Sequence, residues 1–323
     1  MKVEGAEQDD YFGVRPISPA VKARGVCGIC VTYHPDPGLP GRLAAVLSQV
    51  SELVIVDNGS DPPELEMLRA LAARDVALII NGENLGIARA LNIGIEQALS
   101  RGYDWALLLD QDTRVHHDLV ASLLSIRDAY PAKERLAVVG SGYFDPLRPT
   151  RQDASDSAWE EVASVITSGS LICLRAYQKI GRFREEFFID YVDIDYCTRA
   201  HSLGFTILKA KSPLMSHTIG SPTSHKFLWT TKWTSNHSAD RRYYQARNDT
   251  VMLHESPKYR GGAWFFKSLG RSIRTCKRIL LYESDKSAKI LSVLQGWLDA
   301  LRGTSGPRKR FQSRWVHLKS LVF

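Results

Sequence analysis

The sequence predicts an α/β fold, a mostly parallel sheet with helices on both faces, and three observations carry that prediction. Short apolar strands alternate with helical stretches over residues 26–113. Those strands are near-continuous apolar runs, the pattern of strands buried on both faces. Each run also breaks into polar residues at its carboxyl end, the edge at which such sheets bind ligands.

The first strand is "VCGICVTY", Val26 to Tyr33, followed by a helix over "GRLAAVLSQV". Val54 to Val56 form a second strand that breaks into Asp57-Asn58-Gly59-Ser60, residues with turn chemistry. A helical stretch over 64–74 leads to a third strand, "VALII". "NLGIARALNIGIEQAL" then places Ile87, Ala90, Leu91, Ile95 and Leu99 at helical spacing. "WALLLDQDT" is the fourth strand and delivers Asp110 and Asp112 at its end. Beyond it the expectations are a strand over Leu136 to Gly140, an exposed polar loop with Pro146, Pro149, Asp153, Asp156, Glu160 and Glu161, and two short strands around Gly169 with a helix ending at Gly181. A helix closed by Gly204 and a last strand "FTILKA" follow. Residues 212–240 show no clear period, and the chain from Arg241 reads as helical. These elements divide the chain into a polar leader (1–24), an α/β domain (25–240, with halves of about 25–113 and about 114–240) and a helical region (241–323).

With 323 residues, 44% apolar and 24% charged, the chain can bury a sizeable core. Its five cysteines are scattered; the C-x-x-C of Cys27 and Cys30 lies inside a strand and lacks a second ligand pair, so they read as small hydrophobes in a reducing compartment. The first residues hold no apolar core of a signal peptide, and no apolar run approaches the ~20 residues that span a bilayer, so a cytoplasmic location is expected. The net charge of +7 is uneven: Lys258 to Tyr282 holds seven basic residues and no acid. A basic amphipathic helix of this kind suits peripheral contact with an anionic membrane surface, or packs on the main domain with its basic face in solvent. No nucleic-acid-binding motif accompanies it. The same helices are a candidate homodimer contact.

The chemistry is concentrated in carboxylates. If Asp110 and Asp112 stay extended, their side chains share one side with Cα atoms roughly 6 to 7 Å apart, a pair suited to Mg2+ or Mn2+ that also holds substrate phosphates. A second cluster, Asp190, Asp193 and Asp195, follows Phe187-Phe188-Ile189, an apolar setting that raises a carboxyl toward the range of a useful base. A phosphatase whose nucleophile is the first Asp of "LLLDQDT" would open its fold with that motif; here the motif closes the fourth strand.

"CVTYHPD", "VIVDNGS", "NLGIARALNIGI", "LLLDQDT", "TSGSLI" and "FFIDYVDIDYCTRA", in this order, resemble the family 2 glycosyltransferases with the GT-A fold, and among them bacterial rhamnosyltransferases. The resemblance implies an inverting, metal-dependent transfer from a nucleotide-sugar, dTDP-β-L-rhamnose, to a bacterial cell-surface glycan or its lipid-linked precursor. It places Thr32, Tyr33, Asp57, Asn58 and Asn84 on the donor nucleotide, Asp110 on ribose or metal, and Asp112 as the main metal ligand. His217 and the arginines Arg241, Arg242 and Arg247 become candidates for stabilising the departing diphosphate, with His217 a candidate metal ligand as well. Asp193 takes the base role, with Asp195 the second choice on the acceptor side beside Gly169 and Ser170. Family members usually carry Glu-Asp where this chain has Val192-Asp193. The alternatives are a UDP-sugar donor, a catalytically inactive sugar-binding scaffold and a nucleotidyltransferase; the last would need a basic, Gly-rich loop after the first strand, which "TYHPDPG" lacks.

Overall fold

A computed structural model describes residues 23–145, 157–216, 223–227, 230–259 and 261–308. From the N-terminus, β1 (Ala23–Thr32), α1 (Leu39–Leu47), β2 (Val50–Asp57), α2 (Pro62–Leu71), β3 (Val76–Ile80), α3 (Ile87–Ser100) and β4 (Trp105–Asp110) alternate as the apolar pattern predicts. β5 (Arg114–Val115), α4 (Leu119–Ala129), β6 (Leu136–Phe144), β7 (Trp159–Glu161), β8 (Ser170–Cys173), α5 (Leu174–Ile180), α6 (Val192–Ser202) and β9 (Thr206–Ser216) complete the sheet layer. A hairpin of β10 (Thr223–Phe227) and β11 (Thr230–Thr234) precedes three helices, α7 (Ala239–Glu255), α8 (Ala263–Tyr282) and α9 (Lys286–Leu301).

The main sheet runs β3-β2-β1-β4-β8-β6-β9-β5, with β7 paired to β9. β1 pairs in parallel with β2 and with β4, β2 with β3, and β6 with β9, whereas β8 lies antiparallel between β4 and β6. The chain winds from β1 outward to β3 and returns to place β4 on the other flank of β1. The strand order therefore reverses between β1 and β4, where a crevice opens at the carboxyl ends. Helices cover both faces, which is why Ile29, Val54, Ile55, Val56 and Leu107 are fully buried. Cys27 and Cys30 are buried in this layer, where loss of solvent pushes both thiols well above their ordinary value, to about 12 for Cys27.

The structure corrects several expectations. Trp159 to Glu161 form an edge strand on β9 instead of an exposed loop, and only one strand, β8, flanks Gly169. Gly169 is the positive-φ turn before it (φ +71°), where a Cβ would overlap the sulfur of Met215. β9 is nearly twice as long as "FTILKA", and β10–β11 follow it inside the stretch that showed no period. The strand carrying the acid pair ends at Asp110; the Thr113 N–H turns back to the Asp110 carbonyl (3.2 Å), so Asp112 sits in a turn and not in an extended strand.

The C-terminal helices form a layer held together by buried charge. Glu283, 4% exposed, accepts from Lys289 (3.2 Å) and pairs with Arg242, which joins α7 to the α8–α9 turn. Ser238 caps α7 by accepting from the Arg241 N–H.

Candidate active site

A cavity of about 1050 Å3 opens over the carboxyl ends of β1 and β4 and is walled on another side by α7 and α8. Thr32, Tyr33, Asn58, Asn84, Asp110 and Asp112 all line it. Their positions are held by local bonds. The Asn58 Oδ1 accepts from Asn81 Nδ2 and from the Leu85 N–H (both 3.1 Å), and its Nδ2 donates to Asn84 Oδ1 (3.0 Å). Asn84 Oδ1 also accepts from the Gly86 N–H (3.0 Å), so the two amides are fixed as a pair. Gln111, which the sequence reading passed over, grips Tyr33 from both sides: its Oε1 accepts from the Tyr33 N–H (2.7 Å) and its Nε2 donates to the Tyr33 carbonyl (3.0 Å). It thereby ties the β1 end to the β4 end across the crevice.

Asp57 behaves differently from the expectation. It is fully buried, accepts from the hydroxyls of Thr32 (3.1 Å) and Ser60 and from the N–H groups of Gly59 (3.1 Å) and Ser60 (3.0 Å), and does not line the cavity. Its reach to the cavity runs through the Thr32 hydroxyl that it holds.

The acidic loop is the opposite wall. Phe188, Asp190 and Tyr191 all have positive φ (64°, 64° and 67°), a conformation that costs non-glycine residues of order 1 kcal/mol or more each. Three contacts hold it. The Asn248 side-chain amide lies within 2.9–3.0 Å of the carbonyls of Phe187, Ile189 and Asp190. The Arg247 guanidinium donates to the carbonyls of Glu186 (2.8 Å), Phe187 (3.1 Å) and Gly306 (2.5 Å). The Ile87 N–H donates to the Phe188 carbonyl (2.7 Å), an approach that only glycine allows at position 86, where a Cβ would stand 2.7 Å from Phe188.

This strained loop aims Asp190 and Asp193 into the cavity. Burial pushes the Asp193 carboxyl up to about 6; the Ile194 N–H (2.9 Å) works against that rise, and the charges of Asp190 and Asp110 add to it. Arg241 neutralises Asp190 through a two-pronged ion pair (3.1 Å for the longer contact). Asp195, two residues on, is buried against Arg199 (2.8 Å) and Arg184 (3.5 Å) and does not line the cavity, so it belongs to the helix–loop scaffold and not to the acceptor side.

Other expected residues are likewise displaced. Arg247 is 1% exposed and spent on backbone carbonyls, which removes it from the donor side and makes it a positioning residue. Ser170 is buried with its hydroxyl donating to the Ile166 carbonyl (2.6 Å); Ile166 and Thr167, not Gly169 and Ser170, form that part of the wall. His217 lies outside the described residues. Conversely, α8 supplies Arg271 and Arg274 to the cavity, residues the sequence assigned to a surface tail. Arg271 pairs with Asp249, which also accepts from the Tyr191 hydroxyl (2.9 Å).

The donor set around Asp110 suits a hard cation. Asp110, Asp112, Asp190 and Asp193 all line the cavity, Arg241 answers Asp190, and the charges of Asp110 and Asp112 are felt even by the buried Cys30 thiol. The oxygen-only Asp110–Asp112 pair fits Mg2+ or Mn2+ and not a soft metal. Among the described residues, the groupings with three ligand atoms in metal-binding proximity are His116-His117-Asp118 and His34-Asp61-Glu64, and neither lines the cavity.

A doubly wound sheet with its polar crevice at the switch point, acids at the β4 end and a helical C-terminal layer is a GT-A-like architecture. Comparison with known proteins places it more narrowly. Residues 29–167 match the family model described as Glycosyl transferase family 2. A dTDP-rhamnosyl transferase, RfbF from Shigella flexneri, is 27% identical over 247 residues, 72% of this chain and 80% of the relative. These matches support a family 2 glycosyltransferase domain over residues 29–167, in a chain that resembles rhamnosyltransferases. Among solved structures, residues 1–349 of S. aureus TarS superpose with a TM-score of 0.54 at 14% identity, covering 85% of this chain and 80% of that one. GalNAc-T7 solved with UDP, GalNAc and Mn2+ gives 0.54 at 13% identity, covering 86% and 56%. At those identities the likeness is one of fold.

Proposed function

We propose that this glycosyltransferase is inverting and metal-dependent and moves L-rhamnose from dTDP-β-L-rhamnose onto a bacterial cell-surface polysaccharide or its lipid-linked precursor. The observation that carries the chemistry is the convergence of Asp110 and Asp112 with Asp193 on one cavity. The sugar follows from the likeness to the dTDP-rhamnosyl transferase.

In this reading the nucleotide lies against Thr32, Tyr33, Asn58 and Asn84, and Asp110 and Asp112 hold Mg2+ or Mn2+. When bound, the ion neutralises charge on the donor diphosphate. Asp193, with a proton affinity near neutrality, takes the proton of an acceptor hydroxyl. The hydroxyl oxygen bonds to the anomeric carbon as the bond to the diphosphate breaks on the opposite face, and the single displacement inverts the centre by the geometry of inverting glycoside chemistry. The nucleoside diphosphate leaves with the electron pair. Arg241 neutralises the charge of Asp190, the second carboxylate on this wall.

Among the described residues no helix is long and apolar enough to cross a membrane. Peripheral contact with the inner face of the cytoplasmic membrane is supported by the exposed apolar side chains of α8 and α9 beside basic residues.

The test is transfer of label from dTDP-β-L-[14C]rhamnose with Mg2+ to a bacterial membrane fraction. Label should enter the lipid-extractable or polysaccharide fraction with wild-type protein and not with Asp193→Asn. Transfer from UDP-sugars alone would overturn the sugar; undiminished transfer by Asp193→Asn would overturn the base.

A further inference from the structure

α8 has three faces. Ser268, Ser272 and Ile279 are buried against the other helices. Phe266, Ile273 and Leu280, each seven residues apart and so on one stripe at about 100° per residue, are 72%, 49% and 53% exposed. Between these faces runs a basic stripe at helical spacing, Lys267, Arg271, Arg274 and Arg278. α9, joined to α8 by three residues and therefore its antiparallel neighbour, adds its own exposed stripe of Leu291, Leu294, Leu298 and Leu301. Its opposite face buries Lys289, Val293 and Gly296.

Two members of the basic stripe line the cavity, and their charges differ in status. Arg241, Arg242 and Arg271 are each committed to a carboxylate, Asp190, Glu283 and Asp249. Arg274 lines the cavity, is exposed, and has no hydrogen bond or ion pair with any described residue. A guanidinium with open donors at a cavity wall is suited to bidentate binding of phosphate oxygens. On the same helix the neighbouring stripe is apolar and solvent-facing, with basic residues and no acid from Lys258 to Tyr282, the arrangement of a helix that lies on an anionic lipid surface.

We infer that Arg274 is the anion anchor of the acceptor subsite: it takes the phosphate or diphosphate through which a membrane lipid carries the acceptor glycan, with the apolar stripes of α8 and α9 facing that membrane. The inference rests on the transferase reading and names the acceptor class for it. The donor diphosphate is the other available source of phosphate, but in the proposed reading its place is at the β4 end, where Asp110 and Asp112 would hold it through a cation. The acceptor phosphate falls instead on the helical wall, beside the surface where its lipid would be.

The probe is geranyl diphosphate, titrated into the full chain by tryptophan fluorescence, since Trp264 and Trp297 lie in this helical layer. Titrations are made with and without saturating dTDP and Mg2+, with inorganic pyrophosphate in parallel. Geranyl diphosphate should bind in both conditions and at least tenfold more tightly than pyrophosphate. Arg274→Glu should weaken it at least tenfold, Arg274→Lys should retain most of the affinity, and dTDP affinity should stay within twofold in both variants. Displacement of geranyl diphosphate by dTDP with Mg2+ would assign the anion site to the donor and overturn the proposal. Equal binding of pyrophosphate would remove the lipid, and unchanged binding by Arg274→Glu would remove the residue. Failure of dTDP to bind wild-type protein would count against the donor reading separately. Arg274 makes no contact whose loss would unfold the chain, and an unchanged thermal midpoint checks that.

Discussion

Replacing Asp193 with Asn should stabilise the protein at alkaline pH while removing its activity, and the pH dependence of the gain tests the electrostatics of the site. Burial raises the carboxyl from 3.8 to about 6, so the folded state binds this proton more tightly than the unfolded chain does. The sign follows by linkage. Below about pH 4 both states are protonated and Asp193 costs nothing; between about 4 and 6 the cost of a buried charge grows, and above about 6 it is constant. The gap of about two pH units at about 1.4 kcal/mol each sets a ceiling near 3 kcal/mol, and relaxation around a partly buried group reduces it to on the order of 1–2 kcal/mol. Asn keeps the shape and removes the charge. Thermal unfolding in EDTA should therefore show Asp193→Asn a few degrees above wild type at pH 8, with the difference gone at pH 4. Transfer activity should fall about 100-fold or more, the ordinary worth of a general base. Wild-type activity should also drop about tenfold per pH unit below about 6. A variant less stable than wild type at pH 8, or a gain equal at both pH values, would refute the reasoning.

Arg247→Met should lower stability by on the order of 3 kcal/mol in urea unfolding, because the carbonyls of Glu186, Phe187 and Gly306 lose a buried donor. Gly86→Val should cost on the order of 2 kcal/mol or more and raise the KM for donor, since a side chain at φ +86° meets Phe188; denaturant midpoints and initial rates read both. Phe266→Ser with Leu280→Ser should reduce sedimentation with phosphatidylglycerol vesicles severalfold without moving the thermal midpoint, because both side chains are already exposed. Iodoacetamide should label Cys276 ahead of Cys27, Cys30, Cys173 and Cys197, which are buried.

The parts of the fold legible in the sequence are those where burial is two-sided and therefore written as apolar runs. β1 to β4 are of that kind, and with them come Thr32, Asn58 and Asp110 at their ends. β7 was hidden because a three-residue edge strand with Glu160 and Glu161 facing solvent has no such run, and β10–β11 because Ser, Thr and Lys alternate there with few apolar residues. Asp193 could be singled out because its apolar approach is local in sequence. Arg247 could not be told from Arg241: a guanidinium satisfied by backbone carbonyls exists only once α7 meets the acidic loop, and the sequence marks it as one more basic residue. Arg271 and Arg274 left one faint signal, the small polar Ser268, Ser272 and Thr275 on the face beside them, which a helix lying wholly on the surface would not need. Gln111 left none, because its partner is the backbone of Tyr33, distant in sequence.

The central claim is a metal-held dTDP-sugar donor at the β1–β4 switch point, and calorimetric titration of dTDP tests it most directly. With Mg2+ or Mn2+ present, dTDP should bind more tightly than UDP, GDP or CDP, and either EDTA or Asp112→Ala should weaken it by tenfold or more, about 1.4 kcal/mol. Binding of dTDP that is indifferent to the metal and to Asp112, or a clear preference for another nucleotide, would contradict the account.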